Sequence, residues 1–210
     1  MACQFDSRKP ELVRNLLSLY TRQTIDADVA EGSRWYPEAR RIVREWATTY
    51  CIHDATVACV IAAISPQCEW TRNLIIADDI LAGRAVSVSG ALHANIAKAR
   101  RIIDDVAFST MPYFPHGPKV ASFAENLKGL DDYVTVDTHC SQAALGDAAS
   151  TVTLRWQPYK VFAECYALAA RRVNLPPATF QAIIWHTWKR LYPRIRKHAI
   201  RKQWEPIGEY

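Results

Sequence analysis

Apolar residues recur every three to four positions along almost the whole chain, a period that specifies helices and leaves little room for strands. Pro10 to Tyr20 carries Leu12, Leu16, Leu17 and Tyr20 at helical spacing. Pro37 opens a second segment, with Ile42, Val43, Trp46 and Ala47 on one side and Arg40, Arg41 and Arg44 on the other. Asp54 reads as the cap of a strongly apolar helix through Ile64. Ser65-Pro66-Gln67 ends that helix, because proline disfavours helical geometry in the residue before it. Further helices are predicted over Trp70 to Leu81, stopping at Gly83, and over Ser89 to Asp104, a basic amphipathic stretch. The proline-rich Met111 to Pro118 is a turn, and Pro118 suits the first turn of a helix that carries Val120, Phe123 and Leu127 inward. Tyr133 to Val136 is extended and Asp137 caps a helix to about Leu145. Helices over Phe162 to Val173 and Pro177 to Leu191 follow, the latter with Phe180, Ile183, Ile184 and Trp188 on its apolar face.

No repeat, low-complexity run or linker interrupts this pattern, so one all-α unit is expected. Half of its 210 residues are hydrophobic and only seven are glycine, a balance that buries a substantial core and argues against disorder. No apolar run reaches the roughly 18 residues of a membrane span. Met1-Ala2-Cys3-Gln4-Phe5-Asp6 lacks a basic and then apolar leader, which makes a cytoplasmic location the expectation. Cys3, Cys51, Cys59, Cys68, Cys140 and Cys165 form no C-x-x-C pair, so ligand spacing for zinc or an iron–sulfur cluster is lacking, and no metal or other cofactor is expected. Three of the six sit inside apolar helical patterns and read as buried thiols. The net charge of +5 is mild, but Lys189, Arg190, Arg194, Arg196, Lys197, Arg201 and Lys202 occur with no acidic residue between them. Such a run is either a solvated helix face or a track for a phosphate backbone.

The chemistry-bearing pair is Lys119, in Gly117-Pro118-Lys119-Val120-Ala121, and Asp137, 18 residues later in Val136-Asp137-Thr138-His139. A lysine opening one helix and an aspartate opening the next can face a single pocket. Together they offer an amine nucleophile and a carboxylate, the groups needed to attack a sugar carbon and stabilise a developing cation. Taken singly, Asp137 is a helix cap and Lys119 a surface lysine. The order and register of the two, over about 30 residues, resemble the helix-hairpin-helix DNA glycosylases of the endonuclease III type (the HhH-GPD superfamily). In that family a G-x-K-x-A segment leads to V-D-T-H over the same interval. Ala143-Ala144-Leu145-Gly146 resembles the close of the family's following helix, and Ile61-Ala62-Ala63-Ile64-Ser65-Pro66-Gln67 its L-L-S-x-Q segment.

The resemblance implies a two-lobed helical fold with a cleft between lobes, a central lobe over about 52–128 and a second built from 1–51 and 129–210. It implies a DNA partner, a base flipped from the duplex and cleavage of its N-glycosidic bond, with Lys119 and Asp137 catalytic. Gln67 would fill the space left by the extruded base. Trp70 would stack on that base or pack in the core, Asn73 would read a base edge or satisfy backbone, and His139 would line the pocket or pack. Gln181 and Trp185, one turn apart, belong first to the core, with lining of the opposite lobe as the alternative. A Lys119 Schiff base would add strand scission by β-elimination, and water as the nucleophile stays open beside it.

The sequence departs from the family in two places. Where the family has L-P-G-x-G, this chain has Tyr113-Phe114-Pro115-His116-Gly117, and Pro115 has no N–H to give a DNA phosphate. Gly117 retains one, and His116 offers a side-chain donor. The four-cysteine iron–sulfur loop of many relatives is absent, so Arg194, Arg196 and Lys197 in the basic run are expected to take over backbone contacts. These departures keep alternatives open: a phage-type enzyme that exchanges or modifies bases, a non-catalytic DNA-binding module, or a nucleotide-processing enzyme that no longer binds duplex.

Overall fold

The computed structural model describes residues 3–105 and 117–193. Within them are nine α-helices and no strand. After a 3-10 turn at Asp6–Arg8 come α1 (Lys9–Gln23), α2 (Asp26–Tyr50), α3 (Asp54–Ile64), α4 (Trp70–Leu81) and α5 (His93–Asp104). The second part holds α6 (Pro118–Lys128), α7 (Thr138–Leu145), α8 (Trp156–Arg172) and α9 (Pro177–Leu191). The all-α class expected from the period is therefore observed. So are the stop at Ser65-Pro66-Gln67, the helix starts at Pro118 and Pro177, and the extended link through Val136. Cys59, Cys140 and Cys165 are buried, as expected of cysteines inside apolar helical patterns. No single described helix is long and apolar enough to cross a membrane.

Four boundaries differ from the sequence expectation, each for a local reason. Helix α2 starts at Asp26, well before Pro37, which lies inside it. Burying Tyr36, Ala39 and Val43 along one stripe of the helix offsets the roughly 3 kcal/mol that an interior proline costs. The cap of α3 is His53, whose Nδ1 accepts from the Ala55 N–H at 3.1 Å, and Asp54 is the first helical residue. Helix α5 starts at His93 rather than Ser89, because Gly90 stands at φ +133°, outside helical geometry. Helix α8 starts earlier than Phe162, at Trp156, since Pro158 falls in its first turn where a missing N–H is harmless.

The buried side chains form two clusters. The first joins α3 to α6 with Tyr36, Ala39 and Val43 of α2, and with Ala178 and Ala182 of α9. The second joins α1, α7 and α8 with Phe180, Ile184 and Trp188 of α9 and with Val134 and Val136. Helix α9 is thus a wall common to both, with small residues toward one core and large ones toward the other. Helix α2, which the sequence places with the second lobe, puts its apolar side into the first cluster and its N-terminal end against α9. There the Asp28 carboxylate takes the Arg190 guanidinium at 2.8 Å and accepts from the Thr187 hydroxyl at 3.2 Å.

The α2–α9 crossing is close because Gly32 sits in it. A Cβ built there would stand 2.5 Å from the backbone of Ile183. Gly32→Ala should therefore force the two helices apart and lower stability by about 1–3 kcal/mol, read as a reduced urea midpoint. An unchanged midpoint would show that the crossing yields without cost.

Candidate active site

Lys119 is the second residue of α6, whose N-cap, Gly117, holds φ +85°, a geometry that glycine adopts freely. Asp137 is the N-cap of α7. Helix α6 buries its apolar side in the first core and α7 in the second, with the α6 N-terminus near enough for the Lys119 charge to act on Asp137. The link between them is tied down along its length. Asn126 donates through Nδ2 to the carbonyls of Leu130 and Tyr133, both at 2.9 Å, and its Oδ1 accepts from the Thr135 hydroxyl at 2.8 Å. The Tyr159 hydroxyl donates to the Val134 carbonyl at 2.7 Å and accepts from the Val136 N–H at 3.2 Å.

Both oxygens of Asp137 are held. Oδ1 accepts from the Cys140 N–H at 2.9 Å, the ordinary N-cap bond. Oδ2 accepts from the indole N–H of Trp185 at 3.0 Å. Burial pushes the Asp137 carboxyl upward. The Lys119 ammonium foremost, then His139, the Cys140 N–H and the Trp185 N–H, outweigh that and hold it below the usual carboxylate range. The residue is an anion at neutral pH, kept so by a cation on the neighbouring helix. Buried hydroxyls and a thiol complete its surroundings. The Tyr166 hydroxyl donates to the Cys140 carbonyl at 3.0 Å, and the Tyr36 hydroxyl to Gln181 Oε1 at 3.0 Å. Gln181 Nε2 in turn donates to Cys140 Sγ at 3.3 Å. Burial, and then the charge of Asp137, push the Cys140 thiol well up, so it is a packed thiol and not a nucleophile.

The other expected site residues are distributed as follows. His139 is half-buried with its ring edge on Trp185, centroids 6.3 Å apart, and its charge acts on Asp137. Gln67 is exposed at the turn after α3 with φ +60°, a conformation uncommon outside glycine. Trp70 packs in the first core against Trp35, centroids 5.2 Å apart, and near Phe123, the packing alternative for this residue. Asn73 is buried and donates to the Ile61 carbonyl at 3.1 Å, so it satisfies backbone; its Oδ1 has no hydrogen-bond partner among the described residues. His116, Arg194, Arg196 and Lys197 lie outside the described residues. Of the basic run's described members, Arg190 is taken by Asp28, and Lys189 places its ammonium 3.7 Å from the centroid of the Trp185 ring.

Two contributors escape sequence reading. Trp185, assigned first to the core, is half-buried and bonded to Asp137, a residue 48 positions away. Lys189 lies one helical turn beyond Trp185, and that i, i+4 spacing of an aromatic and a cation is a local signal the sequence does carry. A cation over the indole face also makes its N–H a better donor. Among the described residues no group of three or more His, Cys, Asp or Glu could hold a metal ion.

With this geometry in view, the comparisons with known proteins give one match. A family model described as a family of unknown function (DUF7178) covers residues 3–191. The chain belongs to that family. No curated protein matches it, and no solved structure matches it.

Because the Trp185 N–H favours the anion, Trp185→Phe should raise the Asp137 pKa toward or above its ordinary value of 3.8. The sign follows from the change made: a donor to the charged form goes while burial stays. Carboxyl-carbon NMR titration of both proteins measures it, and an unmoved or lowered midpoint would remove Trp185 from the account of this charge.

Proposed function

We propose that this protein is a DNA glycosylase-like enzyme of the helix-hairpin-helix type, which flips a modified or damaged base and cleaves its N-glycosidic bond. The observation that carries the reading is the Lys119–Asp137 pair. The two residues open helices packed in different cores, and Lys119 stands near enough for its ammonium to act on the Asp137 carboxylate without a direct ion pair. The motif order that resembles the glycosylases, the all-helical fold and the exposed Gln67 turn support it further.

Breaking the bond between C1′ and the base nitrogen leaves the bonding electrons on the base and builds positive charge on the sugar. A fixed carboxylate beside C1′ lowers the energy of that cation more than it lowers the energy of the neutral ground state. Asp137 suits this electrostatic role well. Its depressed pKa makes it a weak proton acceptor, so it stays charged when the cation forms. The same property weighs against Asp137 stripping a proton from Lys119. Water attacking C1′, with loss of its proton to solvent, completes base release and leaves an abasic sugar.

Lys119 supports a second reading. If its proton leaves to solvent, the amine attacks C1′, the base departs with the bonding pair, and the sugar ring opens to a protonated Schiff base. β-Elimination then breaks the 3′ C–O bond and cuts the strand. The position of Lys119 at the start of its helix, close enough for its charge to act on Asp137, favours keeping this route. Exchange of one base for another would use the same cation with an incoming base in place of water.

Asp137→Asn should reduce base release by about 100-fold or more while DNA binding persists, measured by mass spectrometry of free bases from modified DNAs. The new amide would set an N–H against the Trp185 N–H, so the double variant with Trp185→Phe controls for that conflict. Wild-type turnover in either variant would end the assignment. Borohydride trapping separates the two nucleophiles. An adduct abolished by Lys119→Gln marks the Schiff-base route, and base release without an adduct marks water.

A further inference from the structure

We propose that the groove between α1 and the C-terminal end of α8 is a phosphate-binding site, gripping neighbouring phosphates of a polyanion through Arg14, Arg22 and Arg172. The groove has a volume of about 410 Å³ and is lined by those three arginines with Pro10, Leu17, Ser18 and Thr21. Among the described residues no carboxylate lines it. Helices α1 and α8 lie side by side and run the same way. Lys9 meets Glu164 at 2.7 Å near the start of α1, while Arg172 joins Leu17 to Arg22 further along. On α1, residues 10, 14, 17, 18 and 21 fall on one side by the 3.6-residue period. Asn15 points to the other flank, donating to the Ala144 carbonyl of α7 at 3.0 Å. The groove is therefore separate from the Asp137 site.

Arginines outside any ion pair occur elsewhere among the described residues, Arg44 and Arg100 for example, but here three of them gather around one concavity. Arg8, Arg34, Arg41 and Arg84 each reach a carboxylate, and Arg190 is taken by Asp28. Arg14, Arg22 and Arg172 are all exposed, and among the described residues no carboxylate comes within ion-pair distance of any of them. Three guanidinium groups around one concavity repel one another and leave a net positive field, which Glu11, near enough to Arg14 for their charges to interact but bonded to Arg8, offsets only in part. Their planar forks fit phosphate oxygens in pairs, as a single ammonium does not. The Thr21 hydroxyl is committed to the Leu17 carbonyl at 2.9 Å, which leaves Ser18 as the hydroxyl facing a ligand. Leu17 and Pro10 give the groove an apolar floor against which a sugar can rest.

Free polyphosphate and a phosphodiester backbone share this chemistry. The identification of the phosphates as DNA's rests on the function proposed above; the anion site does not. Its position on a flank of the second core, away from Lys119 and Asp137, would let it hold backbone beyond the flipped nucleotide.

The test uses the full chain with two probes, inorganic tripolyphosphate and a short DNA duplex, and compares wild type with the triple variant Arg14→Gln, Arg22→Gln, Arg172→Gln. In wild type, tripolyphosphate should shift the arginine side-chain N–H resonances of these three residues. The variant should bind it at least about tenfold more weakly, as expected when charge-assisted hydrogen bonds are removed. For DNA, the slope of log affinity against log salt should flatten by about 2–3, near 0.9 for each phosphate that is no longer neutralised. Absent shifts, or equal tripolyphosphate affinity in the variant, would overturn the site. A lower melting temperature with unchanged affinity would also overturn it, assigning Arg172 to the dipole at the end of α8. Tripolyphosphate binding with an unchanged DNA slope would keep the anion site and overturn its role on DNA. Tripolyphosphate binding by a wild type that binds no DNA would uphold the site and sink the proposed function instead.

Discussion

The close passage of α2 over α9 organises the molecule. Gly32 lets the two backbones approach to a distance that any side chain would prevent, and the Asp28–Arg190 pair with Thr187 fixes their register at one end. Burial pushes the Asp28 carboxyl up, and Arg190 and the neighbouring donors more than reverse this. With the crossing set, α9 lies between two cores. It turns Ala178 and Ala182 to one, Phe180, Ile184 and Trp188 to the other, and Trp185 to the rim where Asp137 waits. The candidate site depends on that rotation: turning α9 by a fraction of a turn would withdraw the indole N–H from the carboxylate.

Asp137 shows how a fold makes a charge useful. The same burial that would neutralise a lone carboxyl excludes the water that would screen it, and each neighbour that offsets the cost also fixes a direction. Cys140 holds one oxygen and Trp185 the other, while Lys119 contributes at longer range without a rigid ion pair. A carboxylate so constrained is already arranged for a cation on its open side, and arrangement before the reaction is what makes electrostatic catalysis effective. Lys189 extends the set outward by standing on the indole face.

The helices over Trp70–Leu81, Pro118–Lys128 and Pro177–Leu191 are legible in the sequence because start signals, stop signals and apolar period agree. The start of α2 is not, because Pro37 is a local stop whose cost is met by packing far away in sequence. Asp137 as a cap is legible from its place before an apolar helix. Trp70 and Asn73 fit either a base or the core by sequence, and only their packing neighbours decide: Trp35 and Phe123 for one, the Ile61 carbonyl for the other.

By itself the sequence determined the class of fold, the ends of most helices and the pairing of a lysine with an aspartate at successive helix starts. These rest on short-range rules: period, capping and proline stereochemistry act within a turn or two. The tertiary structure alone decided that Lys119 acts on Asp137, that Trp185 completes the carboxylate's hydrogen bonds, and that Arg190 is an internal strut while Arg14, Arg22 and Arg172 gather around one groove. Each of these joins residues far apart in the chain. The 3.6-residue period gives every helix a face but does not say which face meets which, and that assignment follows only from how the two cores close around α9.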